Sequence, residues 1–376
     1  MSEARLSQLR RELHRIPELG FAEHATQSLL LSALGALGQP RTIAETGIVV
    51  DLGRPDAPRT LLLRADMDGL PIQEENDVDY ASTHPGHMHA CGHDAHMAAL
   101  AVAGEALKDG VPEGWRVRLL FQPAEEGAGG ALKVIEEGGL DAVDAAFGIH
   151  VWNELPVGTV AVTPGGIMAG VVEVGFTLRG RGGHGALPDR AIDPIVAGAQ
   201  LVQALQTVAS RRTSPFDPVV VTIGRFHAGD AFNVIPEVAT LKGTVRTFSV
   251  ETEAAVEAEL RQIAAGISAA TGCAIEVDWH RYAGPTVNDP EVARRVAIAA
   301  EAVDGIDTVL TDYRTMAGED FGDILAKIPG CFVLLGSAPA DGRHAEPHHS
   351  PRFDIDEGVL PLARDLHLAV VAELTR

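Results

Sequence analysis

In the stretch His89-Ala90-Cys91-Gly92-His93-Asp94 a thiol and an imidazole stand one residue apart, which is half of a metal-binding claw. The groups able to complete it are the paired carboxylates Glu125-Glu126, His150 after an apolar run, and His349 near the C-terminus. Cys91, His93, one of the two glutamates, His150 and His349 together offer sulfur, nitrogen and oxygen donors of the mix that Zn²⁺, Mn²⁺ or Co²⁺ accepts. A fold that closes this claw has to bring the last part of the chain back to the first. The spare glutamate would then stand beside an activated water, the arrangement used in metal-assisted hydrolysis.

The pattern along the chain shows how that return is made. Helical periodicity at roughly 3 to 16 and 22 to 37 leads into extended runs at Thr42–Asp51 and Thr60–Ala65. A His-rich loop follows, then a helix capped by Asp94 to about Lys108, a strand at Arg116–Phe121, the Glu pair, a Gly-rich turn at Gly127–Gly130 with a helix through Glu137, and a strand at Ala145–His150. Alternating strands and helices imply an α/β domain with a largely parallel sheet covered on both faces. Functional groups gather at the C-terminal strand ends of such sheets, which pools Asp66, Asp68, Glu125, Glu126 and His150. From Val171 the period changes to alternation at Val172, Val174, Phe176 and Leu178, and a β-α-β-β-α-β order runs to Tyr282. Helix and strand then alternate again to a last helix at about Glu357–Leu374. The expected architecture is a discontinuous catalytic domain, 1–170 and 285–376, carrying an inserted α+β unit at 171–284.

The chain has 376 residues, 46% of them hydrophobic, so two globular cores are within reach. Thirty Lys and Arg face 52 Asp and Glu, a formal charge of −22, and no basic run occurs, which argues against nucleic-acid or anionic-membrane partners. Ser2 to Arg15 reads as a charged amphipathic helix capped by Ser2, without the apolar core of a secretory signal. Three scattered cysteines, Cys91, Cys273 and Cys331, argue against a disulfide framework. A cytoplasmic enzyme is expected.

Other motifs carry less. Gly180-Arg181-Gly182-Gly183-His184-Gly185 fits a dinucleotide fingerprint, but Pro188 and Pro194 interrupt the helix that should follow, and no acid between Asp193 and Asp217 could take a ribose hydroxyl. No phosphate-cradling loop, HExxH or GxSxG occurs. His84 and His87 read as solvated loop residues, and His96 as packing or capping in the first turn of its helix. Adjacent Glu125 and Glu126 cannot serve one metal position alike, so one ligand and one base is the natural division, and spacing does not say which is which.

These residues sit in ordered blocks: Arg11-Glu12-Leu13-His14 with Pro17-Glu18, Arg64-Ala65-Asp66-Met67-Asp68, His89 to His93, Gln122 to Gly127, Gly182-Gly183-His184, Asn233-Val234-Ile235-Pro236, Gly243-Thr244-Val245-Arg246, Gly318-Glu319-Asp320-Phe321 and His349-Ser350-Pro351. In them the chain resembles the M20 metallopeptidase family over nearly its whole length, specifically the amidohydrolase branch of aminoacylase-like, hippurate hydrolase-like and auxin-conjugate hydrolase-like enzymes. The resemblance implies Glu125 as base and Glu126 as ligand, with Cys91, His93, His150 and His349 completing a site for two divalent ions, Mn²⁺, Zn²⁺ or Co²⁺. It implies that the inserted unit is a lid that mediates dimerisation and presents His184, Asn233 and Arg246 to a small-molecule substrate. Two features depart from the pattern. Asp189 stands where relatives commonly carry a second histidine, and His348 precedes His349.

The reading is a metal-dependent amidohydrolase that removes the acyl group from an N-acyl amino acid. Its rivals are a dipeptidase or carboxypeptidase with the same machinery, a non-catalytic metal-binding scaffold, and a thiol-redox role for Cys91.

Overall fold

Four apolar segments, Arg59–Asp66, Trp115–Gln122, Ala145–Pro156 and Gly330–Ala338, become mutually parallel strands of one sheet. Leu61, Leu62, Leu63 and Ala65 are all buried, as a strand covered on both faces requires. The computed structural model describes residues 3–339 and 345–376, so the expected cap Ser2 lies outside the described residues. Among them the sheet has eight strands, in the order 41–43, 47–53, 115–122, 59–66, 145–156, 330–338, 159–161, 308–310. Antiparallel pairings flank the parallel centre, between 41–43 and 47–53, 47–53 and 115–122, and 159–161 and 330–338. Helix His93–Leu107 packs against Glu3–His14 and Val359–Leu374 over a continuous apolar core.

Register places the chemistry. Asp66 pairs with Gln122, and Leu61 to Arg64 pair with Ala145 to Gly148, so two residues further Asp66 is level with His150. Several expected boundaries move. The run Thr42–Asp51 breaks into a hairpin because Ala44 and Glu45 take left-handed φ values of 48° and 67°. The strand expected to end at His150 continues to Pro156, so this histidine sits within a strand flanked by the 330–338 strand. Gly92, at φ 85°, rather than Asp94, flanks the start of helix His93–Leu107. Asp94 is instead buried, accepting from Arg10 Nε at 2.7 Å and His14 Nδ1 at 2.8 Å.

The chain divides by its internal contacts into two units. The first runs to Ile167 and includes Thr286–Arg314 and Asp320–Arg376; the second comprises Met168–Pro285 and the returning segment Thr315–Glu319. In the second unit the strands Gly170–Arg179, Val220–Ala228, Val238–Thr247 and Ala274–Ala283 form an antiparallel sheet ordered 220–228, 238–247, 170–179, 274–283. Helices Pro194–Thr207 and Val250–Thr271 complete the β-α-β-β-α-β order. Val172, Val174, Phe176 and Leu178 point into a core with Leu201, Leu205 and Leu260. Asp193 caps the first helix through Ile195 N–H at 2.8 Å, ahead of Pro194. Val171 is the cross-strand partner of Ala283, so the ends of this insertion lie side by side. Ala169 N–H donates to Ala317 O at 2.9 Å, which ties the returning segment to the same unit. No helix among the described residues is long and apolar enough to cross a membrane.

Candidate metal centre

Gly92 turns the chain so that Cys91 and His93 share one buried space; a Cβ there would fall 2.4 Å from Val151 Cγ2. Cys91 Sγ lies 3.4 Å from His150 Nε2. Nδ1 of His150 donates to the Val151 carbonyl at 2.6 Å, which leaves Nε2 with the lone pair. His93 Nδ1 is 3.3 Å from Asp68 Oδ1, while its buried Nε2 has no hydrogen-bond partner and stands 3.9 Å from Glu126 Oε1. The same glutamate oxygen is 3.2 Å from His349 Nε2. Ligand atoms of Cys91, His93 and His150, and of Cys91, Glu126 and His349, fall within 4.8 Å of one another. The two sets share the thiol.

The adjacent histidines take different partners, and His348 Nδ1 stands 3.8 Å from Cys91 Sγ. His348 Nε2 accepts Asn153 N–H at 3.2 Å, and its ring stacks on Trp152 with centroids 4.7 Å apart. His349, at φ 64°, has its N–H held by Ala90 O at 2.8 Å, and its half-exposed ring faces Glu126. A non-glycine residue in that conformation beside a candidate ligand is strain stored at a site.

The electrostatics ask for a cation. Burial, reinforced by Glu126, Glu125 and Asp66, pushes the Cys91 thiol well above its ordinary pKa. Burial would depress His93, but Asp66, Asp68 and Glu126 outweigh it and hold the ring at about 10. Burial drives His150 well below its usual value, so it is a neutral imidazole. Carboxylates crowd a thiol here and oblige a histidine to carry a proton. A divalent cation would supply the missing positive charge and drive the thiol to thiolate, so the residues present fit such an ion.

Residues outside the expected ligand set hold this arrangement. Arg64, wholly buried, reaches Asp66 at 2.6 Å and Asp320 at 3.1 Å, and Gln122 Nε2 donates to both Asp320 oxygens at 2.8 and 2.9 Å. His96 is more than packing: its Nε2 accepts Val151 N–H at 2.9 Å and its Nδ1 donates to Asp66 at 2.6 Å. Both its nitrogens are therefore engaged. Asp68 Oδ2 accepts the Glu126 N–H at 2.9 Å while its other oxygen faces His93, so it orients two candidate ligands. Glu125 Oε1 accepts the Asp320 N–H at 3.3 Å. Asp66, Asp68 and Asp320 stand in blocks legible in the sequence, but nothing local showed which partners they would meet.

The second unit carries the other candidates. His184 pairs with Val234 in a two-stranded ribbon, and Gly185 N–H donates to Asn233 O at 2.8 Å, which brings His184 and Asn233 together on an exposed edge. His184 Nδ1 accepts Ala186 N–H at 3.0 Å. Arg246 lies on the strand Val238–Thr247, half-buried, and bonds to the Thr244 hydroxyl and the Val245 carbonyl. No acid among the described residues pairs with it, and burial alone pushes its pKa down. Asp189 is exposed in the turn Pro188–Arg190.

A family model described as peptidase family M20/M25/M40 matches residues 62–373. The chain is 40% identical over 358 residues to an N-acetyl-L-cysteine deacetylase of Bacillus subtilis (strain 168), covering 94% of this chain and 84% of that protein. It is 37% identical over 369 residues to IAA-amino acid hydrolase ILR1-like 4 of Arabidopsis thaliana, covering 96% and 84%. Among solved structures it resembles the Bacillus subtilis YXEP protein, described as a dinuclear metal binding peptidase, with a TM-score of 0.87 at 36% identity over 100% of this chain and 99% of that one.

Proposed function

Because this chain belongs to peptidase family M20/M25/M40, we propose that it is a metal-dependent amidohydrolase that cleaves the amide bond of N-acyl amino acids to a carboxylic acid and a free amino acid. The observation that carries this reading is the convergence of Cys91, His93, His150, Glu126 and His349 on one space, with Glu125 beside them. Those five residues would hold two divalent ions, Mn²⁺, Zn²⁺ or Co²⁺, which when bound act as Lewis acids toward water and the amide carbonyl. Glu125 takes the proton of the attacking water and returns it to the leaving amine nitrogen, serving as base and then as acid. Asp320 N–H fixes one oxygen of that carboxylate. Cys91 is buried and is not joined to another cysteine, which weighs against a redox role.

Removing ligands should remove metal. Cys91→Ala and His349→Ala proteins are expected to lose metal on dialysis, whereas His348→Ala keeps it. Elemental analysis decides this, and full wild-type content in both of the first two would refute the assignment.

Under the same reading the second unit is a lid and dimerisation module of a cytoplasmic homodimer, and His184 stabilises the oxyanion with Asn233 assisting at the amide or acyl end. Arg246 grips the substrate α-carboxylate. A half-buried guanidinium without an acid partner suits that task, because its planar fork takes a carboxylate through two hydrogen bonds. Arg246→Lys and Arg246→Ala should lose kcat/KM on an N-acyl amino acid but not on its C-terminal amide. Equal loss on both substrates rejects the clamp. The overall function is tested by a panel of N-acetyl amino acids, hippurate and dipeptides with Mn²⁺, Co²⁺ or Zn²⁺; faster turnover of dipeptides would move the assignment to a peptidase.

A further inference from the structure

Helix His24–Leu34 starts after Glu23, the position from which a short side-chain oxygen of Asp, Asn, Ser or Thr ordinarily accepts from the free N–H groups of the first turn. Glu23 makes no such bond. Glu18 serves the helix instead, its oxygens accepting from Ala25 N–H at 3.1 Å and Thr26 N–H at 2.9 Å. The Glu23 carboxylate, wholly buried, turns away: one oxygen accepts the Ala124 N–H at 2.9 Å and the other the Thr46 hydroxyl at 2.5 Å. Burial raises its pKa, so the chain tolerates a costly group at this point.

Ala124 immediately precedes Glu125. Its φ of 58° lies in the left-handed region that a residue with a Cβ enters at an energetic cost. The Ala124 carbonyl accepts Gly130 N–H at 3.0 Å, so the residue is held on both sides. The surroundings leave no slack. A Cβ on Gly20 would sit 2.9 Å from Ala124 Cβ, and one on Gly130 would sit 1.7 Å from Pro123 O.

We infer that Glu23 is a positioning residue for the general base: by holding Ala124 in its left-handed conformation it sets the direction in which the Glu125 side chain leaves the backbone. The inference rests on the reading of Glu125 as base. It assigns a task to the Pro17–Glu23 segment that neither metal binding nor substrate contact supplies.

The experiment compares Glu23→Gln, Glu23→Asp, Glu23→Leu and Glu125→Gln, each loaded with Mn²⁺ and assayed on an N-acetyl amino acid, with kcat, KM and metal content resolved. Glutamine has the length of glutamate and an oxygen for the Ala124 N–H, and its amide can donate to the Thr46 oxygen. It is expected to stay near wild type. Aspartate keeps the charge but falls one methylene short, and leucine offers no acceptor. Both are expected to lower kcat by about 10- to 100-fold, the scale on which a small misplacement acts, with KM and metal content unchanged. If leucine prevents folding, aspartate decides alone. Wild-type kcat in the Asp variant beside an inactive Glu125→Gln protein overturns the inference, and so does loss of metal along with kcat, which would make Glu23 merely structural. An active Glu125→Gln protein overturns the base assignment itself, and this inference with it.

Discussion

Replacing Glu125 by glutamine is expected to lower kcat by about 100-fold or more, the usual contribution of a general base, with metal content and KM retained. Glutamine keeps the shape of the side chain and can still accept the Asp320 N–H that holds Glu125 Oε1. What it loses is the capacity to take a proton. Glu126→Gln should do the opposite, weakening metal binding before turnover, because the Glu126 oxygen is the one that faces His349 at 3.2 Å and the unpartnered His93 nitrogen at 3.9 Å. Dialysis, elemental analysis and steady-state kinetics on the two variants form one experiment. If Glu125→Gln sheds metal while Glu126→Gln keeps it and loses turnover, the roles are reversed.

The largest expected effect on stability is at Arg10. Its guanidinium has no exposure and donates to Asp94 at 2.7 Å and to Asp354 at 2.7 Å, with Glu357 at 3.4 Å. Burial opposes the charge, but Asp94 and Asp354 more than compensate and raise the Arg10 pKa above its ordinary value. Arg10→Met fills similar space but leaves the buried Asp94 carboxylate without its guanidinium partner, and breaking a buried pair from one side costs about 3–5 kcal/mol. Denaturant unfolding of the first unit, followed by hydrogen exchange in helix His93–Leu107, reads this directly. Arg54→Met, which breaks the exposed pair with Asp56, should change nothing measurable. An Arg10→Met protein as stable as wild type would show that the network is not holding that helix. The same network sets a pH dependence. Burial works against the His14 cation, but Asp94 and Glu74 outweigh it and raise its pKa from 6.5 to about 9. A raised folded pKa means that its stabilisation is complete below about 6.5 and is lost as the pH rises through about 9.

What could be read before folding followed from local properties. A thiol and an imidazole around one glycine, two adjacent carboxylates and a string of apolar runs are visible residue by residue. The period change at Val172, Val174, Phe176 and Leu178 announced a different sheet because side-chain alternation is itself local. The Asp193–Pro194 pair carries a local helix-start pattern too, an Asp cap ahead of a Pro in the first turn. The hairpin at Ala44 and Glu45 was not, because neither residue type favours the left-handed conformation that it adopts there.

Local residue patterns thus carried the donor chemistry, the α/β class with its βαββαβ insertion, and the need for the chain to return. Where the buried acids went depended on long-range packing. Asp94 looked like a helix cap and became the partner of Arg10, 84 residues away. Glu23 occupied a cap position and instead holds Ala124, 101 residues away. In each case a buried polar group must find a partner, and the identity of that partner depends on which distant segments packing brings within 3 Å or so.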